Sequence, residues 1–284
     1  MSNYSKGIIC MITSAFGFAV MAAFVKLAGD IPPIQKTVFR NLVSFFIAGA
    51  TIWYYKGSFW GKRENQKLLL MRSFFGTIGM VANFYAIDHL ILSDANMLNK
   101  LSPFFVIIFS AVFLGEIIKW QQILAVLTAF LGCLFILKPA FQVDIFPYII
   151  GVISGIFAAM AYTCVRSLGE KEKYYNIVFY FSAFSIAVLL PFVIYFYEPM
   201  SLGQLLCLLL AGIFATIGQY GITLAYRFAP AREISIFDYT NIIFSAALST
   251  FIFGQVPDKF SFLGYITIFA AAFSIYIWQR KNQS

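Results

Sequence analysis

The chain has 284 residues, of which 61% are hydrophobic and 11% charged, and its mean hydropathy is +0.83. Apolar runs of about 20 residues recur from end to end, and no polar stretch between them is long enough for a soluble domain. The net charge of +8 sits in short loops beside those runs, so it reads as membrane topology and excludes a nucleic-acid patch.

Ten transmembrane helices are predicted: 7–28, 34–55, 69–88, 94–114, 120–138, 146–166, 175–197, 203–226, 233–253 and 261–279. Length separates them from strands, because a transmembrane strand needs only about 10 residues. Span 1 is too long for the apolar region of a signal peptide and lacks a cleavage site. Span 2 carries Arg40 and Asn41 near its start. An unpaired guanidinium in hydrocarbon costs at least about 2.5–3.5 kcal/mol, so Arg40 must face protein, water or a partner. Either it ties to a carboxylate such as Asp88 or Asp94, or it joins Lys100 in drawing in an anion. Span 3 ends at Asp88 and His89, the one histidine, which reads as a solvated loop residue.

Span 4 opens with Asn96, Asn99, Lys100 and Pro103, which share one helix face. Pro103 cannot donate a backbone hydrogen bond and frees a carbonyl near Asn99. A kinked, polar-faced helix is tolerated at this depth only against protein or a watery cavity. Lys100 lies about 9 Å along the helix from its start, where its ammonium either snorkels to the outer interface or faces the cavity. Glu116 reads as the helix end. Span 6 carries Gly151, Gly155 and Ala159 at steps of four, a packing stripe matched in span 8 by Gly218 and Gly221. Span 8 also places Thr216, Gln219, Thr223 and Arg227 on one face, with Tyr220 beside them. Span 9 aligns Ser235, Asp238, Asn241, Ser245 and Ser249, with Tyr239 adjacent, and Arg227 is a candidate partner for Asp238. The mid-sections of spans 5 and 10 are nearly all apolar and are expected to face lipid or a second copy of the chain in a homodimer.

An even number of spans puts both termini on one side. Thirteen Lys and Arg residues fall near the span ends of that side, against Lys26, Lys36, Lys138 and Lys259 on the other. Both termini are therefore expected in the cytoplasm of a multi-pass protein of the cell membrane. Trp53, Trp60, Trp120 and Trp278 fall near that side as interfacial anchors. The four cysteines lie in apolar runs without CxxC spacing, so no metal and no cofactor are expected.

The two halves resemble each other at an offset of 139–140. Phe24–Asp30 aligns with Cys164–Glu170, Thr77-Ile78-Gly79 with Thr216-Ile217-Gly218, and Gly115-Glu116 with Gly254-Gln255. Five spans per unit is odd, so the second copy inserts upside down. That is an architecture of secondary transporters, with the substrate site near the midplane between the repeats. The predicted fold is thus all-α integral membrane, ten helices in two inverted five-helix units at residues 1–140 and 141–284.

The run Asn83-Phe84-Tyr85-Ala86-Ile87-Asp88 through Ala95-Asn96, then Leu101-Ser102-Pro103-Phe104-Phe105, Phe113-Leu114-Gly115-Glu116 and Phe39-Arg40, resembles the EamA branch of the drug/metabolite transporter superfamily. The family pattern there is "FYA" in span 3, a proline early in span 4 and "LGE" at its end. In the second unit Ile242 replaces the proline and Gln255 the glutamate. The resemblance implies a cavity lined by spans 1, 3, 4, 6, 8 and 9, and an uncharged residue where this chain has Lys100. Lys100 is therefore expected to set this protein's own specificity.

The expected function is secondary transport of a small polar metabolite, an amino-acid-like or other organic anion or zwitterion. Lys100 would hold the anion, Arg40 would guide it, and Asp238 would meet an amine or a coupling proton. Asn96, Asn99, Gln219, Tyr220, Tyr239 and Asn241 would supply hydrogen bonds and aromatic contact. No Walker motif is present, so the drive comes from a gradient or from exchange. The alternatives are an intramembrane enzyme, which lacks a catalytic constellation here, and a channel or non-transporting scaffold.

Overall fold

The computed structural model describes residues 3–114, 119–137, 144–168, 171–228 and 235–281. These form α1 Asn3–Leu27, α2 Pro33–Tyr54, α3 Gln66–His89, α4 Leu92–Asn99, α5 Ser102–Leu114, α6 Trp120–Leu137, α7 Phe146–Leu168, α8 Tyr174–Tyr195, α9 Leu202–Phe228, α10 Thr240–Phe253 and α11 Lys259–Lys281, with 3-10 turns at Arg63–Asn65 and Ser235–Tyr239. No strand occurs among the described residues. Glu116 and the side chain of Arg227 lie outside them.

Six helices are long and apolar enough to cross a bilayer: α1, α3, α7, α8, α9 and α11. The helices α6 and α10 are shorter apolar ones. Local chemistry sets the boundaries. After α1, Gly29 adopts a left-handed φ of 68°, and Pro33 supplies the first residue of α2, where its missing N–H is no loss. Gly254, at φ 62°, closes α10. Asp258 then accepts the Ser261 N–H at 2.8 Å and starts α11.

Span 4, predicted as one kinked helix, is two helices broken at Lys100–Leu101. Span 9, predicted as helical from residue 233, opens as a 3-10 turn and becomes α-helical only at Thr240. Pro103 accounts for the first break. The second half has Ile242 in its place and loosens without a proline.

In the helix packing, α1 lies on α9 and α3 on α7, while α2 meets both α8 and α9. α3 also touches α8, α10 lies on α1 and α4, α7 receives α4 and α5, and α6 pairs with α11. Small residues allow close crossings. A Cβ on Gly17 would stand 2.9 Å from the Phe214 carbonyl oxygen, so α1 and α9 approach nearly backbone to backbone. The outer faces of α6 and α11 expose Leu127, Leu131, Leu134, Ile266 and Phe269. Apolar surface of this extent suits lipid, not water.

The start of α1 and the end of α11 share one end of the bundle, where the Tyr4 and Tyr276 hydroxyls lie 3.4 Å apart. Lys119 sits over the Trp278 ring there, and Trp53, Trp60 and Trp120 are exposed. The opposite end is laced by polar ties. Lys36 pairs with Asp88 at 2.5 Å, and Lys26 donates to the Leu90 carbonyl. Asp94 accepts from Tyr265 and Ser261, which fastens α4 to α11.

Candidate functional site

The break in span 4 is where chemistry gathers. Pro103 offers no N–H, and the carbonyls one turn earlier lose their helical partners. The Lys100 carbonyl instead accepts the Tyr239 hydroxyl at 3.2 Å. The Leu98 and Asn99 carbonyls face α7 at Gly155, where a Cβ would stand 2.9 Å from the Leu98 oxygen. Gly155 is thus required by the close approach of irregular backbone.

Lys100 caps the C-terminal end of α4, and Asp238 lies just ahead of α10. The helix dipoles favour a cation at the first position and an anion at the second. The two side chains meet: Lys100 Nζ lies 2.6 Å from Asp238 Oδ2, and both are nearly buried. Asp238 Oδ1 is buried with no hydrogen-bond partner. Lys100 therefore neither snorkels outward nor stands apart from Asp238. The break in span 4 meets the 3-10 start of span 9 and brings the two charges to one depth. Half of the carboxylate remains available as an acceptor.

Two flanking contacts brace this junction. Asn96 donates to the Ser245 hydroxyl of α10 at 2.8 Å, and Asn99 donates to Ser154 of α7 at 3.1 Å. Asn96, Asn99 and Lys100 thus diverge onto three different elements, although the sequence placed them on one face. All three precede the break, and they diverge because different elements pack around this end of α4.

The remaining expected site residues lie elsewhere. Asn241 donates to the Ala15 carbonyl at 2.8 Å and ties α10 to α1. Tyr220 is 3.0 Å from the Thr51 hydroxyl and edge-on to Tyr174, between α2, α8 and α9. Gln219 is half-buried on α9, and its side chain makes no hydrogen bond among the described residues. Arg40 does not reach Lys100 and is not tied to Asp88 or Asp94. Lys36 holds Asp88, Tyr265 and Ser261 hold Asp94, and Arg40 donates instead to Asn41 Oδ1 at 2.5 Å. Asp238 is held by Lys100, the residue predicted to lie on the opposite side of the cavity from it. His89 is exposed and stacks on Tyr85.

Sequence reasoning passed over Ser154, which receives Asn99, and Arg72, which is buried on α3. Arg72 was legible as a lone cation inside a predicted span. Ser154 sits between Gly151 and Gly155 and carried no signal beyond the packing stripe.

The chain as a whole is similar to known proteins. The chain is 33% identical over 280 residues to the pseudopaline exporter CntI of Pseudomonas aeruginosa, covering 95% of each chain. It is 23% identical over 286 residues to the S-adenosylmethionine uptake transporter of Rickettsia bellii, covering 100% of this chain and 98% of that one. A solved crystal structure superposes with a TM-score of 0.72 at 16% identity, over 99% of both chains, which shows a shared fold. The model of the EamA-like transporter family matches twice, over residues 5–138 and again over 145–277. With both halves matched and relatives that are transporters along their whole length, the chain belongs to the EamA-like transporter family of membrane proteins.

Proposed function

We propose that this protein is a secondary transporter that moves a small organic zwitterion or anion across the cell membrane by alternating access. The observation that carries this reading is the Lys100–Asp238 pair, set where a broken helix meets the 3-10 start of another. Irregular backbone at membrane depth belongs where helices line a substrate path, and intramembrane charges mark such paths.

The reading takes the chain as ten crossings in two inverted five-helix units, 1–140 and 141–284, with both termini cytoplasmic. Three observations support it. The family match is double. The Lys and Arg bias favours the side of the termini. The helix packing also survives exchange of the two halves: α1 on α9 has its counterpart in α7 on α3, α2 on α9 in α8 on α3, and α1 on α10 in α7 on α4 and α5. Lys100 belongs to the first unit and Asp238 to the second, so the pair spans the interface that rocks.

The chemistry is a charge-balanced exchange. A substrate carboxylate replaces Asp238 against the Lys100 ammonium, while a substrate amine takes the Asp238 carboxylate, starting at the free Oδ1. Each buried charge keeps a partner throughout, so the cost of stranding one in a dry site is avoided. Asn96 and Asn99, already braced on Ser245 and Ser154, hold the junction while the pair opens.

The test is a thermal-melting screen of the purified protein against zwitterionic and anionic metabolites, followed by flux of the hits in liposomes. A ligand at 100 times its Kd adds about 2.7 kcal/mol of stability. Lys100→Met removes a charge-assisted hydrogen bond worth about 1.5–3 kcal/mol, roughly 10- to 150-fold in affinity. If Lys100→Met binds and carries the substrate as well as the parent, the assignment is wrong.

A further inference from the structure

Two further arginines are buried, and neither is bonded to the Lys100–Asp238 pair. Arg40 on α2 is 1% exposed and Arg72 on α3 is 5% exposed. The two ion pairs among the described residues are Lys36–Asp88 and Lys100–Asp238, so neither guanidinium has a carboxylate. Arg40 Nη1 donates to Asn41 and, at 3.5 Å, to the Met80 sulfur. The Arg72 guanidinium lies 3.8 Å from the centroid of the Phe181 ring. Beyond these contacts, Arg40 Nε and both Nε and Nη1 of Arg72 are buried without an acceptor.

The two side chains converge. Arg72 Nη1 lies beside Gly76, 3.4 Å from where a Cβ would stand. Arg40 Nη1 touches Met80, one turn further along α3, about 6 Å away at 1.5 Å per residue. Arg72 and Arg40 are close enough to act on each other electrostatically, and both act on the buried Tyr162. The two guanidiniums therefore repel each other in a buried site that has several idle donors and, among the described residues, no ion-paired carboxylate. A sulfur atom and an aromatic face offset only a small part of the lost hydration. An anion suits these idle donors, because the fork of a guanidinium matches the paired oxygens of a carboxylate or phosphate.

We propose that Arg40 and Arg72 form an oxyanion-binding subsite between α2, α3 and α8, separate from the Lys100–Asp238 pair. As a binding site it stands on the arginines alone. Its use in carrying a substrate with a further acidic group rests on the transport reading above. The oxyanion comes either from a substrate carboxylate or from a phosphoryl or free phosphate group, and the chemistry of capture is shared.

The experiment is a thermal-melting titration of the purified full chain, in low salt, with malonate, phosphate and chloride. The parent should show a saturable rise in melting temperature with malonate or phosphate. A lower midpoint for malonate assigns the subsite to carboxylates, and a lower midpoint for phosphate assigns it to phosphoryl groups. Arg40→Gln and Arg72→Gln should each move the midpoint up by about tenfold or more, the loss of a charge-assisted contact. Arg72→Lys keeps the charge without the fork and should fall between. Should Arg72→Gln fail to fold, Gly76→Ala crowds Arg72 and Phe181 without changing charge and should move the midpoint the same way. The double variant Lys100→Met/Asp238→Asn, which removes only the pair's own charges, should keep a saturable response that the arginine variants weaken. A parent with no saturable response, arginine variants that titrate like the parent, or chloride as effective as malonate would overturn the subsite. A midpoint lost in the Lys100→Met/Asp238→Asn variant and kept in the arginine variants would also overturn it, placing the anion at the pair.

Discussion

Lys100 and Arg40 are both cations sunk in the same helix bundle, and the structure treats them oppositely. Lys100 ends a broken helix and meets a carboxylate from the other half of the chain at 2.6 Å. Arg40 sits within an unbroken helix and finds an amide, a sulfur atom and a second arginine. The first charge has a partner that must be displaced before a ligand binds. The second has idle donors and nothing to displace. Pairing thus separates charges that hold two halves together from charges that await an anion.

The largest effect should come from breaking the pair one side at a time. Lys100→Met strands a buried carboxylate and Asp238→Asn strands a buried ammonium. Each should cost about 3–5 kcal/mol of stability, and the double variant should recover most of it. Melting curves of the three proteins in one detergent check this, and a double variant no better than the singles would count against the pair as the source of the loss.

At the far end of the bundle, Lys36 and Asp88 are also paired, with Asp88 partly exposed. Water can reach what is left behind, so Asp88→Asn should cost less, about 1.5–3 kcal/mol. A loss as large as that of Asp238→Asn would show that this tie is as dry as the central one.

Arg72→Gln sharpens the contrast most. It removes a buried charge, as Lys100→Met does, yet strands no partner. The expected loss is the cation–π contact with Phe181, about 0.5–2 kcal/mol. A drop in melting temperature matching that of Lys100→Met would reveal a hidden counter-charge and erase the difference between the two regions. Smallest of all should be Tyr220→Phe, which removes one hydroxyl contact with Thr51 outside both regions, about 0.5–1.5 kcal/mol, and leaves flux unchanged.

Much of this architecture was legible in the letters. Run length located the helices within a few residues, and Pro103 marked the break in span 4. The stripe Gly151, Gly155, Ala159 announced a close crossing, which the structure places against Leu98 and its carbonyl. The family resemblance rested on Asn83–Asp88 and Leu101–Phe105, and the family match covers both stretches. What one chain cannot encode locally is which distant residues meet. Lys100 and Asp238 are 138 positions apart, and a helical wheel drawn through Asn96, Asn99 and Lys100 does not say which distant elements pack around that end of α4. Arg72 was passed over although it stands as a lone cation inside a predicted span, because no residue near it in sequence offers it a partner. Its burial against Phe181 and its approach to Arg40 depend on how α2, α3 and α8 pack, which hydropathy does not report.

The central claim is that substrate charges enter at the Lys100–Asp238 pair. Counterflow of a zwitterion identified by the melting screen, across liposomes holding either the parent or the Lys100→Met/Asp238→Asn variant, tests it most directly. The double variant should melt close to the parent and carry no saturable flux, because the fold survives the loss of the pair and the binding site does not. Saturable flux in the double variant, with the parent's apparent affinity, would contradict the claim and reduce the pair to a structural pin.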